Sequence, residues 1–261
     1  MSFESRCLCG ACRYRVDGAF EGVIHCHCRR CRKFHGATFA SYAVFEGTMQ
    51  WLQGRDDIDR FISADLTAPV FFCRHCGAPA PDPDKESGPL TFSPRASSLV
   101  GLPAPPLEYH FYLKFRAAWF QPPEGAPHLY DVVAPNFRDP GLPELDRAVD
   151  TTEVCGSCLC GEVTFAATSA RRMVDCSCSD CGLSRGALFA TDLVVAAEHF
   201  RWTGGREHVR RFLHGPYVVS LCNRCSSPVP RDVEHGASFA VPAGLLDNDP
   251  GLRPTAGTHP R

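Results

Sequence analysis

The chain has 261 residues, of which 44% are hydrophobic, and a formal net charge of −2 at pH 7. This balance argues against nucleic acid or an anionic membrane as its partner, and no stretch approaches the roughly 18 apolar residues of a membrane span. The N-terminus lacks the apolar region of a signal peptide. Sixteen cysteines without such a signal indicate a reducing compartment, so we expect a cytoplasmic protein whose cysteines bind metal and not a disulfide-rich secreted one.

The predicted elements are mostly strands. Residues 11–16 alternate with a period of two, residues 38–45 are β-branched and aromatic, and residues 70–72 run into a Cys-x-x-Cys. A short helical turn is predicted to begin near Arg29, and residues 109–115 are predicted to form a late strand.

Seven cysteines reappear in the same order about 150 residues later, which indicates a tandem duplication. The repeated residues are Cys7, Cys9, Cys26, Cys28, Cys31, Cys73 and Cys76, followed by Cys158, Cys160, Cys176, Cys178, Cys181, Cys222 and Cys225. We therefore predict two zinc domains at 1–133 and 153–261, joined by a Pro-rich linker at 134–152. The Gly- and Pro-rich tail at 247–261 is predicted to be loosely ordered.

Four cysteines of each half form two clips, one Cys-x-Cys and one Cys-x-x-Cys, which together can close a tetrahedral zinc site. Such a filled site is structural, and its binding energy is folding energy. The predicted ligands are Cys7, Cys9, Cys73 and Cys76, and in the second half Cys158, Cys160, Cys222 and Cys225. The alternative is that these are buried free thiols.

The remaining three repeated cysteines of each half form a Cys-x-Cys-x-x-Cys cup. The first cup is Cys26, Cys28 and Cys31, and the second is Cys176, Cys178 and Cys181. Three thiolates leave one zinc position open for chemistry, so we predict up to four zinc ions per chain, two of them in open sites. The alternative for the first cup is a closed site completed by Cys12, His25, His27, His35 or another side chain. His27 is expected to point away from the metal, and the unmatched Cys12 and Cys155 are interpreted first as spare thiols.

Each half resembles the glutathione-dependent formaldehyde-activating family, which includes a centromere-associated branch. The motifs are Cys-Leu-Cys-Gly, the segment from His25 to Lys33 around the first cup, and the segment from Phe72 to Gly77, followed by His110 and Arg116-Ala-Ala-Trp119. The resemblance implies a mainly β, tent-like fold for each half. It implies structural zinc at the four-thiolate groups, catalytic zinc at the first cup, and carbon–sulfur chemistry that joins formaldehyde reversibly to glutathione.

The second half departs from this pattern. His259 aligns with His110, but the chain ends at Arg261, before any closing Ala-Pro-Trp segment. Asp175 and Asp180 stand where the first half has His25 and Arg30. Because like charge weakens anion binding, we predict that the first half carries any activity. The covalent duplication also predicts that the two halves pack as a pseudo-dimer.

These observations predict a zinc-dependent carbon–sulfur lyase or synthase that acts on a small thiol adduct such as S-hydroxymethylglutathione, with glutathione as co-substrate. The cations beside the first cup are expected to hold the substrate carboxylates; they are Arg29, Arg30, Arg32 and Lys33. The alternative for these cations is a solvated basic loop. The alternative for the protein is a non-catalytic zinc-stabilised scaffold that binds a protein or nucleic acid.

Overall fold

A computed structural model describes residues 1–62, 68–84, 95–124, 128–129 and 153–260. Over these residues the protein is mainly β, with two short α-helices, as the sequence predicts. The predicted linker at 134–152 lies outside the described residues, so the domain boundaries stay predictions. Among the described helices, none is long and apolar enough to cross a membrane.

The first half places its helix between two long antiparallel strands. Its elements are β1 (Ser2–Arg6), β2 (Arg13–Cys26), α1 (Arg29–His35), β3 (Ala40–Gln53), β4 (Ile58–Phe61), β5 (Val70–Cys73), β6 (Glu108–Phe111) and β7 (His128–Leu129). The central strand β2 pairs with β1 and β3 antiparallel and with β6 parallel, while β4 and β5 form a separate hairpin.

The second half repeats this order, but its described strands are at most 7 residues long, against 14 for β2 and β3. Its elements are β8 (Glu153–Ser157), β9 (Thr164–Thr168), β10 (Arg172–Cys176), α2 (Ser179–Arg185), β11 (Ala190–Ala196), β12 (Phe200–Gly204), β13 (Val209–His214), β14 (Tyr217–Cys222), β15 (Arg231–Val233), β16 (Ser238–Pro242) and β17 (Thr255–Ala256). The counterpart of β2 is split into β9 and β10, and β17 lies parallel to β10 as β6 does to β2. The strand β17 thus continues the sheet that carries the second cup.

The halves pack against each other through reciprocal contacts. The hydroxyl oxygens of Thr38 and Thr191 lie 2.8 Å apart, and Leu188 N–H donates to the hydroxyl of Ser41. Thr38 and Leu188 are equivalent at the repeat offset of 150, as are Ser41 and Thr191. Each half therefore presents the same patch to the other, which is the arrangement of a two-fold dimer made within one chain.

The hydrophobic core crosses between the halves. Phe34 of α1 and Trp119 pack in one buried cluster with Phe165 and Leu245 of the second half. Conversely, Leu8 of the first half packs with residues of the second half that include Leu221. Because buried apolar area is the main stabilising term, we expect each half to depend on the other for its core.

Two sequence predictions of local structure are wrong. The late strand predicted at 109–115 ends at Phe111, because Tyr112 takes a left-handed conformation (φ 59°) and a 3₁₀ turn follows at Leu113–Phe115. The tail is also more ordered than predicted, since β17 and backbone hydrogen bonds fix it to β10.

Candidate metal centres

The first four-thiolate group joins the turn after β1 to the end of β5. The Sγ atoms of Cys7 and Cys9 lie 3.5 Å apart, and those of Cys9 and Cys73 lie 3.8 Å apart. With Cys76, the four Sγ atoms all lie within 4.8 Å of one another. These separations far exceed the roughly 2.05 Å of a disulfide bond, and all sixteen cysteines, which lie within the described ranges, are free.

The same donor set recurs in the second half. The Sγ atom of Cys160 lies 3.4 Å from that of Cys158 and 3.7 Å from that of Cys222, and Cys225 completes the group. A tetrahedral zinc with Zn–S bonds of about 2.3 Å places its sulfurs roughly 3.8 Å apart. Both groups therefore fit a zinc ion whose four positions are filled, and such an ion stabilises the fold instead of binding substrate.

The two Cys-x-x-Cys loops face each other across the interface between the halves. Gly77 N–H closes the first loop by donating to the Cys73 carbonyl (2.8 Å), and Ser226 N–H does the same to Cys222 (3.0 Å). The Ser226 hydroxyl donates to the Gly77 carbonyl (3.3 Å). A Cβ on Gly77 would lie 2.4 Å from Leu221, which explains why this position is a glycine.

The unmatched cysteines stand outside these groups. Cys12 is buried, and its N–H donates to the Cys7 sulfur (3.3 Å) as Val163 N–H donates to the Cys158 sulfur (3.3 Å). Cys12 therefore occupies the position of an apolar side chain in the other half. Cys155 is exposed.

The first cup surrounds the N-terminus of α1. Cys28 caps this helix, since its sulfur accepts a hydrogen bond from Cys31 N–H (3.4 Å), and the Cys26 sulfur lies 3.5 Å from that of Cys28. All three side chains are buried. Hydrogen bonding from the Cys26 and Cys28 sulfurs holds the pKa of Cys31 well below its ordinary value. Within the described residues, no fourth histidine, cysteine or carboxylate joins this group.

The histidines near the first cup bind one another and a hydroxyl group. His27 and His110 lie 2.9 Å apart through Nε2 and Nδ1, and His25 Nδ1 lies 3.1 Å from the Ser41 hydroxyl. Burial, with a contribution from His110, lowers the pKa of His25 to about 3, so this ring is neutral at physiological pH. His27 does not belong to the metal-capable group of the first cup, and its Nε2 atom contacts His110 instead.

Two tyrosines line the first cup. The Tyr42 hydroxyl lies 3.4 Å from the Cys31 sulfur, and the Arg95 guanidinium lies 4.4 Å from the centre of the Tyr42 ring. Burial raises the pKa of Tyr42 well above its ordinary value, so its hydroxyl stays protonated at neutral pH. Tyr112 packs against the same cysteines.

The four cations of the first cup differ in their surroundings. Lys33 is 1% exposed, and its ammonium donates to both the carbonyl and the hydroxyl of Ser157 (2.8 and 2.7 Å) and to the Leu245 carbonyl (3.1 Å). It also pairs with Asp247 (2.8 Å), which binds Arg29 as well. Lys33 therefore has a full set of acceptors and no donor to spare for a substrate carboxylate, contrary to the role we predicted for it. Arg29 pairs with the same Asp247 carboxylate.

The other two cations keep hydrogen-bonding capacity. Arg32 is 1% exposed, and its Nε and Nη1 have no hydrogen-bond partner among the described residues. Arg30 is partly buried and donates to the Pro69 carbonyl (3.4 Å). Burial lowers the pKa of Arg30, but Cys31, Tyr42 and the other thiols of the cup outweigh this and raise it.

The second cup has a donor that the sequence did not predict. The Nδ1 atom of His259 lies 3.5 Å from the Cys178 sulfur and 3.7 Å from the Cys176 sulfur. These three residues and Cys181 form one group whose ligand atoms all lie within 4.8 Å of one another. The second cup, which we predicted to be an open three-thiolate site, therefore has a possible fourth donor that the first cup lacks among the described residues. The proposed equivalence of His259 with His110 fails, because Ala256 stands beside Asp175 as His110 stands beside His25.

Comparison with known proteins agrees with these donor sets. The model of the family described as "Glutathione-dependent formaldehyde-activating enzyme" matches residues 2–94 and 153–259, which is most of the chain. The chain belongs to this family. It therefore contains two tandem copies of the glutathione-dependent formaldehyde-activating domain, as the repeated cysteines predict.

Two further comparisons add little. A solved Rhodobacter sphaeroides protein, a structural genomics target, is 19% identical with a TM-score of 0.32, covering 39% of this chain and 99% of its own. No curated protein matches the chain. Within the family, this member has three site residues that sequence reasoning missed, namely Tyr42, Asp247 and the ligand-like His259. A tyrosine or aspartate that belongs to no local motif cannot be recognised as a site residue from a single sequence.

Proposed function

We propose that this protein is a zinc-dependent carbon–sulfur lyase or synthase that acts at the first cup on a thiol adduct such as S-hydroxymethylglutathione. The observation that carries the proposal is the donor set of Cys26, Cys28 and Cys31. These are three buried thiols with no fourth donor within the described residues, in a member of a family named for glutathione and formaldehyde. When bound, zinc at three thiolates lowers the pKa of an incoming thiol and holds its sulfur.

The proposed reaction needs no oxidant or reductant. The sulfur of the thiol supplies the electron pair of the new C–S bond to the formaldehyde carbon, and the carbonyl π electrons move to oxygen. That oxygen takes up the proton that the thiol lost. In the reverse direction the C–S bond breaks and the hydroxyl proton returns to sulfur. The protein therefore has to hold the sulfur and to supply one proton beside it.

We assign the transfer of this proton to Tyr42, which gives its hydroxyl proton to the oxygen and takes up in exchange the proton that the thiol released. Its hydroxyl lies 3.4 Å from the Cys31 sulfur, and burial keeps it protonated at neutral pH. A carbonyl oxygen that develops negative charge next to the cup would receive a hydrogen bond from a donor at this place. The equivalent position in the second half is Asp192, which is fully engaged by two arginines. This difference supports activity in the first half alone.

The carboxylates of a glutathione-type substrate need cations near the sulfur. Arg30 and Arg32 remain the candidates, because Lys33 is saturated by carbonyl, hydroxyl and carboxylate oxygens. Arg30 directly precedes Cys31 in the chain and has its pKa raised by that thiol, and Arg32 keeps two unpartnered nitrogens among the described residues. Guanidinium groups bind carboxylates in a two-point arrangement that lysine does not offer.

Exchange spectroscopy with ¹³C-formaldehyde and glutathione tests this proposal, because the adduct forms and breaks measurably without enzyme and catalysis appears as faster exchange. We expect acceleration by the zinc-loaded protein, none by Cys28→Ala, and about 10²-fold less by Tyr42→Phe. Cys155→Ala, which changes an exposed thiol outside the metal groups, should behave like the unchanged protein. No acceleration by any form, with all zinc sites filled, would instead favour a non-catalytic scaffold.

A further inference from the structure

The C-terminal tail lies along the second cup. Gly257 N–H donates to the Asp175 carbonyl (2.9 Å), and β17 pairs with β10 just before the first cysteine of the cup. Residues 255–258 are exposed, but His259 is half-buried and Pro260 is buried. The chain thus turns inward at His259, which indicates that contacts within the protein hold this end of the tail.

The distances at His259 match a metal ligand. A tetrahedral zinc with Zn–N bonds of about 2.05 Å and Zn–S bonds of about 2.3 Å places nitrogen and sulfur roughly 3.6 Å apart. The two measured Nδ1–Sγ distances, to Cys178 and Cys176, are 3.5 and 3.7 Å. Three thiols and one imidazole form a donor set typical of structural zinc sites.

Buried side chains hold the histidine in this position. The Arg231 guanidinium donates to the carbonyl of Pro260, the residue after His259 (3.2 Å), and to the Asp192 carboxylate (3.1 Å). Arg185 donates to the same carboxylate (2.9 Å). Burial raises the pKa of Asp192, but Arg231 and Arg185 outweigh it and hold the pKa below its ordinary value. The Tyr217 ring lies edge-on to the imidazole at 4.9 Å between centroids.

We propose that His259 is the fourth ligand of a closed zinc site with Cys176, Cys178 and Cys181, so that the second cup fastens the C-terminal tail and performs no thiol chemistry. The duplicated domain has thereby kept the three cysteines of the cup in both halves and given them different roles. In the first half Tyr112, and not a histidine ligand, packs against the cup. This inference concerns metal ligation and does not depend on the proposed reaction.

Zinc release to a chromophoric chelator tests the proposal on the folded, zinc-loaded protein. The unchanged protein should release one ion per chain quickly, from the first cup. His259→Ala should release two ions quickly, and the release rate of the second-cup ion should rise at least about tenfold. Even removing a group that only hydrogen-bonds to a metal ligand lowers metal affinity by about 10- to 100-fold. The control His208→Ala changes a solvent-facing histidine that pairs with Glu207 on the surface, and this variant should release one ion. Equal release by His259→Ala and the unchanged protein would overturn the proposal.

A second measurement serves if His259→Ala does not fold. In the unchanged protein with ¹⁵N-labelled histidine, zinc on Nδ1 would fix the His259 ring as the Nε2–H tautomer with no titration between about pH 5.5 and 8. His259→Gln identifies the resonance by its loss. A His259 ring that titrates near its ordinary pKa of about 6.5 would show that it is not a ligand.

Discussion

Asp247 joins the two halves through a buried cluster of charges, and its removal should destabilise the whole chain. Its carboxylate pairs with Lys33 and Arg29, whose side chains are 1% and 9% exposed. Burial has already lowered the pKa of Lys33 to about 8, although Asp247 opposes this effect. The Asp247→Asn variant keeps the side-chain shape but removes the negative charge that pairs with both cations.

The expected loss follows from the burial of the partners. Removing one partner of a buried ion pair costs about 3–5 kcal/mol. The Asp247 side chain is itself 30% exposed, so water screens part of the interaction, and we expect about 2–4 kcal/mol of unfolding free energy. The control is Asp249→Asn two residues along, because Asp249 pairs at 3.7 Å with an Arg253 that is 56% exposed. Such a surface pair contributes about 0–1 kcal/mol.

Urea unfolding at a fixed free-zinc concentration measures both variants. We expect the midpoint of Asp247→Asn to fall clearly below that of Asp249→Asn, with a similar dependence of free energy on urea concentration. Combining Asp247→Asn with Lys33→Met should recover part of the loss, because the double variant leaves no buried ammonium unpaired. A loss below about 1 kcal/mol for Asp247→Asn would refute the view that this cluster fastens the halves together.

Three further predictions concern the zinc sites, the contact between the halves and pH. Cys76→Ala opens a four-thiolate site and should lower thermal stability, whereas Cys28→Ala should retain the fold; identical melting curves would show that the first cup is structural. Gly77→Ala should lower the free energy of unfolding by about 2–4 kcal/mol, because φ is +71° and the added Cβ would contact the other half. The control Gly101→Ala (φ +75°, with open space around the Cβ) should lower it by about 1–2 kcal/mol. Equal losses in denaturant unfolding would argue against the tight contact. The pKa of Lys33 is lowered from 10.5 to about 8 on folding, so between these pH values the unfolded chain binds one more proton than the folded chain. The free energy of unfolding, compared with that of Lys33→Met, should therefore rise with pH in this range by up to about 1.4 kcal/mol per pH unit. A difference that does not change with pH would contradict the lowered pKa.

The sequence predicted which cysteines group together because thiol spacing is local. Cys7 and Cys9 lie in one clip and Cys73 and Cys76 in another, and a metal that needs four sulfurs leaves few ways to combine two such pairs. The helix after Cys28 is also a local feature, because the Cys28 sulfur caps its first turn by accepting from Cys31 N–H.

The sequence failed where long-range packing decides the role of a residue. Lys33 belongs to a basic run that resembles an anion site, yet the fold buries it against backbone carbonyls and Asp247 of the other half. His259 lies in a tail rich in Gly and Pro, and only the pairing of β17 with β10 brings it to the second cup. A pattern along the chain cannot show which distant segment a side chain will meet.

The two cups are proposed to differ, the first being open to a thiol and the second closed by His259. Cadmium-113 NMR of the cadmium-loaded chain tests this difference directly, since each site gives one resonance that responds to its own ligands. We expect four resonances, of which glutathione shifts only the one that is lost in Cys28→Ala. A shift of the second-cup resonance on adding glutathione, or no shift at the first cup, would show that the cups do not differ in this way.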